Sequence, residues 1–186
     1  LCSLARLLCL LLPLLAFTAR AEARPSLLIF AETFEEGASP GAGGPADSGF
    51  LAAQVAAALA NSGFDARELT DLSAEAGLPT ILSTARQAGA DYALLVRLDP
   101  AVAEVIDYRG NDIQTRRRVL TAPYSFRLVA AATGETVLGD TGTARQVSRA
   151  TESLRESNPD APQALVPAVA QSIAREIRET MNPRDL

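Results

Sequence analysis

Histidine and lysine are absent from this sequence, and its only two cysteines, Cys2 and Cys9, stand near its beginning. Each absence removes a class of chemistry. A serine nucleophile of the hydrolase kind needs an imidazole base. Zinc and copper sites draw on imidazole and thiolate. Aromatic residues are scarce, six Phe and three Tyr, which leaves little surface for stacking sugars. Positive charge is outnumbered: the formal net charge is −5. Such a chain is poorly suited to nucleic acid, whose phosphates need a basic face. It is equally poorly suited to an anionic membrane surface. All the basic residues are Arg and Ala is abundant, a composition that reflects the genome rather than function.

What is present begins with export. An apolar run from Leu7 to Phe17 follows Arg6 and leads to the small-x-small site Ala21-Glu22-Ala23. That is the pattern of a secretory signal peptide. The run is about half the roughly 20 residues that a membrane span needs. We therefore expect residues 1–23 to be a signal peptide and 24–186 a single domain, exported to the periplasm and soluble. No pair of small residues precedes Cys9, so no lipid attachment is expected, nor membrane insertion after cleavage. Both cysteines leave with the signal. A disulfide-free exported domain must be held by its core.

Ser26 to Phe34 reads as a buried first strand behind Pro25. Glu35 to Pro45 is a Gly/Pro-rich loop. Phe50, Leu51, Val55 and Leu59 recur at helical spacing, with Asp47 or Ser48 as cap and Gly63 as stop. Phe64 to Leu72 suggests a short strand. Pro79 opens a second helix with Ile81, Leu82 and Ala85 on its apolar side. Tyr92 to Val96 reads as a central strand, continuing loosely to Tyr108. After the turn signal at Gly110-Asn111-Asp112, Arg116 to Ala131 returns as a long strand. In it Tyr124, Phe126, Leu128 and Ala130 face one way, Ser125 and Arg127 the other. Pro123 marks a bulge or an edge. Thr133-Gly134-Glu135 is a hairpin, and Thr136 to Val147 returns. Ser148 to Pro162 reads as a loop. Leu165, Val169, Ile173 and Ile177 stripe a last helix stopped by Pro183. The expected fold is α+β with an α/β-like start, in the order β-α-β-α-β-β-β-α. It is a mixed sheet with helices mainly on one face.

No catalytic motif withstands its chemistry. Gly37-Ala38-Ser39-Pro40-Gly41 matches G-x-S-x-G, but no His exists to activate the Ser. Gly41, Gly43 and Ala46 fit G-x-G-x-x-A, yet Gly41 falls well past the first strand, where a dinucleotide fold would have ended it. Glu32, Glu35 and Glu36, and likewise Glu152, Glu156 and Asp160, are carboxylate clusters without the spacing of a calcium loop. No acid pair is singled out for glycoside chemistry. We expect no enzyme, no cofactor and no metal. The one dense charge run is Arg116-Arg117-Arg118. It can serve as an edge guarded by charge and as a docking patch for an acidic partner, and the two are not exclusive.

Three segments carry a likeness. Gly89-Ala90-Asp91-Tyr92-Ala93-Leu94-Leu95-Val96, Tyr124-Ser125-Phe126-Arg127-Leu128-Val129 and Thr133-Gly134-Glu135-Thr136-Val137 occur in order within residues 88–147. Together they resemble the envelope domains related to the TolB amino-terminal domain, the curli secretion protein CsgG and LpoB, the lipoprotein activator of penicillin-binding proteins. The resemblance implies a non-enzymatic envelope protein that works through protein contacts. This chain departs from it in lacking a lipobox Cys and long apolar hairpins for membrane insertion. The resulting expectation is a periplasmic scaffold or regulator whose partners are envelope proteins. Its contact surface would be a sheet edge or the hairpin around Arg116, Arg117 and Arg118. The alternative is a small-molecule or ion-binding domain, with the loop from Glu35 to Pro45 closing over a site.

Overall fold

The computed structural model of the chain describes residues 24–34, 46–69, 76–110, 113–149 and 162–181. The expected signal peptide, the loop expected after Phe34 and the cluster of Glu152, Glu156 and Asp160 lie outside them. The elements are β1 (Ser26–Thr33), α1 (Ser48–Asn61), β2 (Asp65–Glu68), α2 (Leu78–Gln87), β3 (Tyr92–Leu98), β4 (Val102–Gly110), β5 (Ile113–Ala130), β6 (Thr136–Arg149) and α3 (Val166–Thr180). A 3-10 turn, Pro162–Leu165, leads into α3.

β2 and β3 flank β1, both parallel to it. The chain thus leaves β1 to one side and returns to the other. Right-handed crossovers then place α1 and α2 on opposite faces of the sheet. α3 returns to the face of α1. Leu27 and Ile29 of β1, Leu94, Val96 and Leu98 of β3, and Phe126 and Leu128 of β5 meet α1 and α3 there. Leu28, Phe30, Ala93 and Val129 meet Ile81, Leu82 and Ala85 of α2 on the other face. Because β1 is covered on both sides, its sequence runs apolar without alternation. Each fully buried Leu or Ile contributes roughly 1.5–3 kcal/mol.

Local chemistry sets the element ends. Asp47 Oδ1 accepts from the Phe50 amide at 2.8 Å and caps α1. Gly63, at φ 96°, turns the chain out of it. Ser26 and Asp91 tie the starts of β1 and β3: Asp91 Oδ2 accepts from the Ser26 amide at 2.9 Å and from its hydroxyl at 2.8 Å.

The fold class is as expected, with one strand more. The stretch from Tyr92 to Tyr108 divides into β3 and β4 at Asp99-Pro100-Ala101. Pro100 has no amide to donate. Both pieces still run along the same flank of β5: Tyr92–Leu98 pairs with Tyr124–Ala130, and Val102–Gly110 with Ile113–Thr121. β6 pairs along the other flank. Pro123 sits where β3 gives way to β4. Its carbonyl accepts from Asp99 N at 2.9 Å, so its missing amide points into the same break.

Candidate interaction surface and the adjoining groove

β5 is long enough to serve two regions. One half lies between β3 and β6, under helix cover. The other half, with β4, forms a hairpin that runs past the end of β1, whose last partner on β3 is Leu98. Opposed residues share a face. Val105, Asp107, Arg116 and Arg118 therefore point to one side of the hairpin, and Val102, Ile106, Arg117 and Val147 to the other.

The three arginines are not equivalent. β5 is an interior strand here, so the run does not guard an edge. Arg116 is exposed and its Nε lies 2.9 Å from Asp107 Oδ1 on β4. Arg117 is exposed on the opposite face. Arg118 is only 6% exposed. It shares its face with Leu120 and Ala122, which join the main core. Beside these charges Val102, Val105 and Val147 are 41%, 61% and 45% exposed.

The hairpin adjoins an open stretch of sheet on the α2 face. α2 packs on β1, β3 and Val129 of β5, and among the described residues the other two helices pack on the opposite face. Two rows cross four strands there in register: Phe30, Leu95, Arg127, Gly139, and Glu32, Arg97, Ser125, Thr141. They line a groove of about 520 Å³, and a second hollow of about 460 Å³ continues it past Arg97 towards Pro123 and Thr143. Arg97 stands between them. Its guanidinium lies 4.1 Å from the centre of the Phe34 ring, and its Nε is 2.8 Å from Asp99 Oδ1. Exposed cation–π contacts of this kind contribute about 0.5–1 kcal/mol. Arg127 and Glu32 have no hydrogen-bond or ion-pair partner among the described residues. Alternation along β5 already placed Ser125 and Arg127 together. Glu32, Arg97 and Thr141 join them only through the register of four strands, which no local signal carries.

Behind β6, Glu176 of α3 lies beside Asp140. Burial, first, and the neighbouring Asp140 carboxyl hold the Glu176 carboxyl above its ordinary range, against a smaller opposite pull from Arg175. Among the described residues no three acidic side chains converge as a metal cluster would. No helix among them is long and apolar enough to cross a membrane.

No protein-family model matches the sequence. No curated protein matches it either. Several solved structures are similar to it. A Xanthomonas campestris protein of the DUF330 family aligns over 88% of both chains, with 13% identity and a TM-score of 0.52. The C-terminal domain of LpoB from Salmonella enterica aligns over 70% of this chain and 90% of its own, with 17% identity and a TM-score of 0.41. A minor lipoprotein from Acinetobacter baumannii aligns over 84% and 93%, with 13% identity and a TM-score of 0.44.

Proposed function

We propose that this chain is a non-enzymatic interaction module of the bacterial envelope, working in the periplasm as a scaffold or regulator of an assembly. The observation that carries this reading is the β4–β5 hairpin, which extends beyond β1 with exposed valines on both faces and Arg116 and Arg117 on opposite sides. Apolar side chains flanked by arginine are what a specific protein contact favours. The export pattern and the three segments resembling LpoB, CsgG and TolB domains support the location. A stable contact would bury on the order of 1,200–2,000 Å², which the hairpin and the adjoining sheet face together can supply. The partner presents acidic groups to the arginines. Arg118, being buried, positions β5 rather than touching the partner. Pull-down from envelope extracts tests this. Arg116→Glu combined with Arg117→Glu should lose partners that the parent chain retains. An unchanged set of partners contradicts the reading.

The groove favours a second reading, a small-molecule-binding domain. Its volume is within the usual range for ligands, and it lies at the carboxyl ends of β1 and β3, where open sheets with helices often bind them. A ligand of the native state raises the melting temperature by mass action. A thermal-shift panel of small anions, amino acids and Ca²⁺ should then include a responder that Arg127→Ala abolishes. A flat panel removes this reading and leaves the first intact.

A further inference from the structure

Among the described residues β6 is paired on one side only, and the bonding pattern fixes which of its groups face outwards. Asp99 N donates to the Pro123 carbonyl at 2.9 Å, and Ala131 N donates to the Asp91 carbonyl at 2.8 Å. Odd-numbered residues of β5 thus turn their backbone towards β3. Even-numbered ones turn towards β6, where Ala122, Tyr124 and Phe126 oppose Ala144, Gly142 and Asp140. Between these, Thr141, Thr143, Arg145 and Val147 direct their N–H and C=O groups away from the sheet. None of these outward groups has a hydrogen-bond partner among the described residues. Natural sheets usually blunt such an edge with charge, proline, a bulge or a very short strand. β6 is 14 residues long without proline; its bulge lies at one end, at Val137, and between Gly139 and Arg145 its outward positions are a glycine, two threonines and one arginine.

The residues along this edge are nearly symmetric about Gly142. Thr141 and Thr143 flank it, and Gly139 and Arg145 stand three positions to either side; beyond Gly139 the regular strand ends at Val137, which a bulge leaves unpaired between Leu138 and Thr136. We propose that β6 pairs antiparallel with β6 of a second copy, about a two-fold axis through Gly142, making one sheet continuous across a dimer. This goes beyond the docking function argued above and uses the outer edge of β6, which shares Val147 with the hairpin surface and Thr141 and Thr143 with the groove. In this register each Thr141 opposes the Thr143 of the partner subunit, twice over, and the regular ladder runs from Gly139 to Arg145, short of the bulge at Val137. Arg145 falls opposite Gly139, which leaves it room. Like charges are nowhere directly opposed. Outward groups meet outward groups, as an antiparallel ladder requires. Thr–Thr cross-strand pairs are among those that stabilise sheets. Moving the axis to Thr143 sets Thr141 against Arg145, and moving it to Thr141 sets Thr143 against Gly139, so either shift leaves one threonine pair in place of two. It is this self-complementarity that selects a second copy over a foreign strand.

The test uses the full chain with Cys2→Ser and Cys9→Ser, by sedimentation across a range of concentrations. The expected result is a reversible dimer. Thr143→Pro removes an outward amide without touching the β5 ladder, and should give a monomer with an unchanged far-ultraviolet spectrum. The register is read separately. Gly139→Cys with Arg145→Cys puts opposed Cα atoms about 5.5 Å apart, within disulfide reach of roughly 4.4–6.8 Å. That variant should form an oxidised dimer. Arg145→Cys alone, with its two copies about 20 Å apart at roughly 3.4 Å per residue, should not. A monomer at all concentrations, including one that captures only foreign strands, overturns the proposal. So does a dimer indifferent to Thr143→Pro.

Discussion

The ring of Tyr124 lies over the Cα of Gly142 on the neighbouring strand. A Cβ at Gly142 would fall 2.4 Å from Tyr124 Cζ. The two residues are directly opposed on β5 and β6. Tyr124 is half-buried against the main core, so its ring cannot move aside freely. Gly142→Ala should therefore cost about 1–3 kcal/mol by overpacking, read as a fall of several degrees in the melting temperature. Tyr124→Ala in the same chain should relieve the clash, so that the two changes together cost less than their sum. An unchanged melting temperature for Gly142→Ala would refute the contact.

Arg116 and Arg118 differ by two positions and by their surroundings. Reversing Arg118 places an acid at a position 6% exposed. Arg118→Glu should destabilise by roughly 2–4 kcal/mol. Arg116→Glu breaks an exposed pair with Asp107 and should cost less than about 1 kcal/mol. Chemical denaturation of the two variants measures both. Equal losses would show that the burial of Arg118 has been misjudged.

Stability should respond to the Glu176–Asp140 contact. The folded Glu176 carboxyl titrates above its unfolded value, mainly because burial disfavours the charged form. The folded state therefore binds the proton more tightly. That contribution is fully present below the unfolded value, about 4.3, and is lost as pH rises through the higher folded one. Glu176→Gln removes the titration. The variant should gain on the parent as pH rises from 4 to 7, when melting temperatures are compared at each step. A difference independent of pH contradicts the sign.

Much of this was legible in the residues, and the omissions have physical causes. The buried run of β1, the stripe of Val169, Ile173 and Ile177, and the alternation from Tyr124 to Ala130 each followed from a local period. The division of β3 from β4 did not, because the apolar pattern continues across Asp99-Pro100 and both pieces keep the same neighbour. The burial of Arg118 was within reach: it has the parity of Leu120 and Ala122, which lead into the core. The groove was out of reach, since Glu32, Arg97, Ser125 and Thr141 are brought together by register alone.

The most direct measurement places a photoreactive amino acid at Val105, the most exposed of the hairpin valines, and irradiates cells in which the chain has been exported. Mass spectrometry should then find an adduct with an envelope protein, and Arg116→Glu with Arg117→Glu should abolish it. Irradiation that yields no envelope adduct at Val105, or an adduct that survives both reversals, would contradict the hairpin as the place where this protein meets its partner.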